Sequence, residues 1–277
     1  MLKFPLNLSK SEGFNVTIKK DSITSISYEI IGNENSSDTL LFIHGAGGNM
    51  EALKALAMQL PEYKCVLIDL PGHNLSGGDV PKDVSGYTSA VESFIKSNSE
   101  CFGNNITCIG HSMGGCISLE LALKKVPEIK RLVILNSGAK INIDKKFMKK
   151  VEEEGKISKL YLFKAGGSYF HPRTYSFFLK GFKKMITSQK VMVKDFKIAD
   201  GFDKRDSVNN IKLPVLIATG EKEILAMPEH SEFLHSQIKG SQLFIMEGVA
   251  HLMPIIVPEK LAEKMRPFLN STVNVLN

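Results

Sequence analysis

The stretch Ile106-Thr107-Cys108-Ile109-Gly110-His111-Ser112-Met113-Gly114-Gly115-Cys116-Ile117-Ser118-Leu119-Glu120-Leu121-Ala122-Leu123 decides how this chain is read. Its first four residues form an apolar run of strand type, and its last eight follow a helical pattern. Between them stands Gly-x-Ser-x-Gly. A serine in that strand–turn–helix setting sits on a sharp turn with its hydroxyl exposed, which makes Ser112 the candidate nucleophile. The glycines answer a steric need, because side chains do not fit where the two backbones approach. Without its flanks the motif is common by chance; with them it is specific.

A nucleophilic serine needs an oxyanion hole, a base, and an acid that orients the base. Upstream, Thr39-Leu40-Leu41-Phe42-Ile43 reads as a buried strand ending in His44-Gly45-Ala46-Gly47-Gly48. Such a turn leaves backbone N–H groups free, and Ala46 N–H with Met113 N–H would make the oxyanion pair. The plainer alternative is an ordinary strand-to-helix turn, which is glycine-rich for its own reasons. The base falls to His251, in Gly248-Val249-Ala250-His251 after the strand-like Gln242-Leu243-Phe244-Ile245-Met246. Loops at the ends of parallel strands are where ligand-binding side chains gather in open α/β sheets. For the acid, Leu213 to Thr219 reads as a strand followed by Gly220-Glu221-Lys222-Glu223. Glu223 lies far enough past the strand to reach a neighbouring loop, with Glu221 as the alternative. Strand six ends in Leu135-Asn136, so no carboxylate is available there. Asp200, Asp203 and Asp206 read as loop or capping residues.

Together these segments resemble the α/β-hydrolase family over most of the chain. His44 to Gly48 looks like its oxyanion motif, and Asp69-Leu70-Pro71-Gly72-His73-Asn74-Leu75-Ser76 its D-x-P-G-H-G-x-S turn after strand four. Gly110 to Gly115 matches the nucleophile elbow, Gly220 to Glu223 the G-x-x-D acid loop, and Gly248 to His251 the terminal histidine loop. Two departures stand out. Glu223 occupies a place where Asp is commoner, and Asn74 replaces a glycine in a turn where Asn tolerates a left-handed backbone. An aspartate nucleophile, as in dehalogenases and epoxide hydrolases of the family, is excluded by Ser112. The resemblance implies a mostly parallel central sheet flanked by helices, with a helical cap inserted after strand six.

Composition agrees. A chain of 277 residues with 43% hydrophobic content supplies one large α/β core plus an insertion. Strand-like runs alternate with helical ones, as a parallel sheet requires. The first two runs, Asn15–Lys19 and Ser25–Ile31, follow each other directly and predict an antiparallel hairpin. Residues 1–138 and 211–277 are thus expected to form the core and 139–210 the cap. Met1 to Leu6 lacks the long apolar region of a signal peptide. No stretch approaches the ~18 apolar residues that span a bilayer, and the four cysteines match no zinc pattern. With Cys65, Cys108 and Cys116 on core elements, a cytoplasmic protein is expected.

The region 139–210 is too long for a loop. Lys145–Leu160 and Lys190–Ala199 read as helices, Tyr175-Phe178-Leu179-Phe182-Met185-Ile186 as an amphipathic helix face, and Gly166-Gly167 and His171-Pro172 as breaks. Its many aromatics could line an acyl site, with Tyr175, Phe178 and Phe182 as candidates, or simply pin cap helices to the core. The region carries 17 Lys plus Arg against 8 Asp plus Glu, net +9 in a chain of net +6, so the remainder is −3. This charge suits either an anionic substrate or membrane surface, or a solvated lysine-rich face. No nucleic-acid motif accompanies it. His44 and His73 read as structural hydrogen-bonding groups, and His111 is expected to point into strand–helix packing, away from the serine. His171, His230 and His235 have no partner pattern, and no constellation suggests a metal or cofactor.

The sequence therefore predicts a serine hydrolase that cleaves a carboxylic ester or thioester of a small-molecule acyl substrate through a Ser112–His251–Glu223 triad. C–C bond cleavage or acyl transfer on the same triad, and a non-catalytic binding protein on this fold, are the alternatives.

Overall fold

In the computed structural model, which describes residues 18–154, 157–169, 179 and 181–271, eight strands hydrogen-bond into one sheet. They are β1 (Ile18–Lys20), β2 (Ser27–Gly32), β3 (Thr39–Ile43), β4 (Lys64–Ile68), β5 (Ile106–His111), β6 (Ile129–Leu135), β7 (Val215–Gly220) and β8 (Gln242–Met246). Their order across the sheet is β1-β2-β4-β3-β5-β6-β7-β8. The hairpin expected at the start appears as β1 against β2, with Ile18 opposite Glu29; residues 15–17 lie outside the described part. Strand β2 is antiparallel to β4 as well, and every later neighbour pair is parallel.

Period-two alternation along the strands feeds two cores. Leu41, Ile43, Val66, Ile68, Leu132 and Ile134 face one side. Leu40, Phe42, Cys65, Leu67, Val133 and Leu135 face the other. The first face is covered by α2 (Val84–Ser97), the short α3 (Ser99–Phe102) and α4 (Met113–Leu123), and the second by α1 (Glu51–Ala57) and the C-terminal helix Pro258–Leu269. Helix α4 is buried along nearly its whole length, as an apolar helix must be when it is sandwiched between sheet and helices. Each fully buried aliphatic side chain contributes roughly 1.5–3 kcal/mol. Cys65, Cys108 and Cys116 are buried within these cores, whereas Cys101 is exposed. Among the described residues no helix is long and apolar enough to cross a membrane.

The strand order also fixes where a site can form. The chain lays β4 on one side of β3 and β5 on the other, and loops leaving such a switch point diverge to open a crevice. Ile43 pairs with Gly110 at the carboxyl ends of β3 and β5. The turn after Ile43 and the turn containing Ser112 therefore emerge side by side.

Between β6 and β7 the chain makes α5 (Lys145–Glu154), α6 (Lys159–Ala165) and α7 (Gln189–Asp200). The single helix expected over Lys145–Leu160 is thus two helices. Ser158 takes the Tyr161 N–H on its side chain and caps a new start there. Ser188 likewise caps α7, close to the predicted Lys190–Ala199. Of the predicted helix face from Tyr175 to Ile186, residues 175–178 lie outside the described part, as do His171 and Pro172. Phe147 stacks on Tyr161 at 4.0 Å between ring centroids and meets Phe196 edge-on at 5.5 Å, so these aromatics knit the insertion together.

The insertion is also stitched to the turn after β3. Ile186 bridges Gly48, Thr187 N–H donates to Gly47 O (2.9 Å), and the Asn49 amide donates to Lys184 O (2.8 Å). Gly47 has φ +65°, and a Cβ there would lie 2.5 Å from Met192 of α7; only glycine fits. Farther along α7, Asp200 accepts the Ile143 N–H (2.9 Å), remote from that turn.

Candidate active site

Ser112 stands at the β5–α4 junction with φ 54° and ψ −121°, a backbone region that side-chain-bearing residues seldom occupy. Ser112 N–H donates to Leu135 O (2.9 Å), and Gly115 N–H donates back to Ser112 O (2.8 Å). The turn closes because its glycines lack side chains. A Cβ on Gly110 would lie 2.3 Å from Gly114 O, and one on Gly114 would lie 2.0 Å from Ile43 O.

Glu223 and His251, 28 residues apart in sequence, meet at 2.9 Å between the carboxylate and Nδ1. The carboxylate only accepts, so Nδ1 carries a proton, and in the neutral ring Nε2 keeps a lone pair. Glu223 is itself held by backbone donors, with Oε1 accepting from Ile224 N–H (2.7 Å) and Leu225 N–H (2.8 Å). Glu221 is elsewhere. It is exposed, its Oε2 accepts the Gly248 N–H (2.9 Å), and that bond, with Lys222 nearby, lowers its pKa. It thus fastens the histidine loop rather than touching His251.

One residue that the sequence reading passed over joins these loops. Asn136, fully buried at the end of β6 with φ 46°, donates to Ala250 O (3.0 Å) and accepts the Gly220 N–H (3.2 Å). Its one amide ties the acid strand to the residue before His251. The signal available was an Asn at a strand end, where its tolerance of a left-handed backbone is useful.

His111 corrects an expectation. Instead of pointing away into strand–helix packing, it lines the same cavity as Ser112 and His251. Its ring packs 4.8 Å from that of His251, and its Nε2–H donates to His251 O (2.9 Å). Burial, then the neighbouring His251, push its pKa down to about 3, so the ring stays neutral. His44 is neutral too, driven well below its ordinary value by burial and then by His73. Its Nδ1–H donates to Gly45 O (2.9 Å) and its Nε2 accepts the Leu70 N–H (3.0 Å). Asn74 takes the left-handed backbone expected of it, φ 42°.

The cavity in front of Ser112 has a volume of about 80 Å³. Ala46 lies on its wall, and Met113 is buried beside Ser112. Among the described residues neither the Ala46 N–H nor the Met113 N–H is taken by a protein acceptor. Among the described residues the lining also includes Phe182, Met192, Phe196 and Leu225 and holds no lysine, arginine or carboxylate. Of the other substrate-contact candidates, Tyr175 and Phe178 lie outside the described residues. No group of three or more potential metal ligands occurs among the described residues.

Residues 38–162 match the family model for the alpha/beta hydrolase fold. The chain is similar to a solved lipase-esterase related protein from Clostridium acetobutylicum, at 34% identity and TM-score 0.80, covering 88% of this chain and 99% of that one. A pimeloyl-[acyl-carrier protein] methyl ester esterase of Neisseria meningitidis is 25% identical over 255 residues, 84% of this chain and 77% of that protein. Lipase 1 of Psychrobacter immobilis is 23% identical over 250 residues, with the same coverage.

Proposed function

Since the chain belongs to the α/β-hydrolase family, we propose that it is a carboxylic ester hydrolase in which Ser112, His251 and Glu223 form the catalytic triad. The carrying observation is the buried Glu223–His251 bond at 2.9 Å, with Ser112 on a strained turn in the same cavity. Esterase and lipase relatives support the reaction class.

Ser112 Oγ attacks the acyl carbon while Nε2 of His251 takes its proton, and Glu223 stabilises the imidazolium that forms. The N–H groups of Ala46 and Met113 hold the oxyanion. His251 then protonates the leaving alkoxide or thiolate, and afterwards activates the water that clears the acyl-enzyme.

The described part of the wall, which holds no lysine, arginine or carboxylate, favours a neutral acyl group. Its ~80 Å³ is well under the roughly 150 Å³ that houses benzene in an engineered protein cavity, which suits acyl chains of few carbons. Phe182 contacts that chain; Tyr175 and Phe178 are proposed to join it. Residues 139–210 act as the cap and 1–138 with 211–277 as the catalytic core. Four free cysteines, three of them buried, fit a reducing cytoplasmic setting.

Hydrolysis of p-nitrophenyl esters from two to sixteen carbons tests the reading, with Ser112→Ala as blank. Turnover by the wild type that vanishes in the folded variant supports it. Equal turnover by the two proteins refutes the nucleophile, and no turnover at any chain length refutes the esterase assignment.

A further inference from the structure

A second buried carboxylate reaches from the insertion to the turn after β3, and the triad does not use it. Asp195 of α7 is fully buried. Its Oδ2 accepts the Gly47 N–H at 2.8 Å and faces His73 Nε2 at 2.7 Å, while its Oδ1 accepts the Tyr87 hydroxyl at 2.6 Å. The other nitrogen of His73 donates to Pro71 O at 3.1 Å. Both ring nitrogens thus face acceptors.

The placement matters because Gly47 directly follows Ala46. A peptide unit is a rigid plane, so each end of Ala46 belongs to one plane. The plane carrying Ala46 N–H also carries Gly45 O, which accepts from Gly48 N–H (3.0 Å) and His44 Nδ1–H (2.9 Å). The next plane carries Gly47 N–H, and Asp195 holds that one. With both planes pinned, Ala46 has no free rotation left. Gly47 N–H is also directed into the carboxylate and away from the cavity, leaving Ala46 as the donor from this turn.

Resting on the triad reading above, we propose that Asp195, hydrogen-bonded to His73 and Tyr87, is a positioning residue for the reaction. It fixes the turn after β3 so that the Ala46 N–H is aimed at the oxyanion before substrate arrives. The insertion thereby completes the catalytic centre and is more than a cover for it.

The test compares wild type, Asp195→Ala, Asp200→Ala and Ser112→Ala on p-nitrophenyl butyrate, with a short alkyl trifluoromethyl ketone as inhibitor. That ketone adds to the serine and places an oxyanion in the hole. Asp195→Ala should lower kcat about ten- to a hundredfold and weaken the ketone by a similar factor, with KM within about threefold. Asp200→Ala, which removes only the α7 bond to Ile143, should match the wild type. Wild-type kcat and ketone affinity in Asp195→Ala would overturn the positioning role, as would a loss of kcat with ketone affinity unchanged. Full activity of Ser112→Ala would overturn the triad reading itself, and this inference with it.

Should Asp195→Ala not fold, amide NMR of the wild type decides. Ketone addition should shift the Ala46 and Met113 amide protons downfield and leave Gly47 in place. A Gly47 shift in place of Ala46 refutes the proposal.

Discussion

Two carboxylate–imidazole pairs are buried around one cleft, and they differ in what the second ring nitrogen does. In Glu223–His251 the carboxylate takes Nδ1–H and is itself backed by backbone N–H groups, leaving Nε2 without a fixed duty in the frame. In Asp195–His73 both nitrogens are committed, one to the carboxylate and one to Pro71 O. A ring with one open nitrogen can shuttle a proton; a ring with two closed ones can only hold. The pairs also span different distances. Glu223 and His251 leave adjacent parallel strands β7 and β8, whereas His73 and Asp195 join the core to the insertion across 122 residues.

The contrast can be attacked at several strengths. Removing Ser112 or His251 should cost on the order of 10⁶ in kcat, measured by steady-state kinetics with circular dichroism to confirm folding. Glu223→Gln should cost about 10³–10⁴, while Glu221→Gln, whose carboxylate meets the histidine loop and its neighbour Lys222, should stay within about tenfold. Equal losses from both glutamates would erase the assignment of the acid.

The second pair should respond in stability. His73→Asn takes the imidazole from a buried carboxylate that keeps the Gly47 N–H and the Tyr87 hydroxyl, an effect of about 3 kcal/mol, or a Tm lowered by roughly 6–12 °C. His251→Ala should lower Tm less, since the His251 ring lies at the cavity whereas that of His73 is fully buried. Calorimetry on both variants separates the acting pair from the holding one; a reversed order would break the comparison.

The smallest effect comes from the two neutral histidines beside these pairs. His44 and His111 resist protonation in the folded protein but accept a proton below about pH 6.5 when unfolded. The unfolded chain then binds more protons, so each ring lowers stability as pH falls, by about 1.4 kcal/mol per pH unit. For His111 that continues down to about pH 3. His111→Gln keeps a donor for His251 O, so urea unfolding between pH 6 and pH 4 should show a correspondingly shallower acid slope.

Much of the site was legible because its parts are local. Ser112, the turn at His44 to Gly48, Glu223 and His251 each sit within a few residues of a strand end, where short motifs and strand periodicity carry the information. In the sequence Glu223 differs from Glu221 only in reach, and in the fold it is Glu223 that meets His251. What escaped has a physical reason in each case. His111 follows the alternation of β5 only until the turn redirects the chain, so its cavity-facing ring was misread. Ser158 opens a new helix by a side-chain cap that the apolar pattern of Lys145–Leu160 conceals. Asp195 reads as one more acid on a lysine-rich helix, since its partners Gly47, His73 and Tyr87 lie more than a hundred residues away. Asn136 acts through a carbonyl in the histidine loop and an amide at the end of β7, contacts that no local pattern encodes.

The contact between Gly47 and Met192 has an engineering consequence. A helix that packs where even a Cβ would collide cannot be exchanged as a cassette. A chimaera that borrows residues 184–200 from a relative must bring that relative's turn after β3 as well. The modular unit for redesigning this enzyme is therefore discontinuous: two short segments, 44–49 and 184–200, that have to be transplanted together.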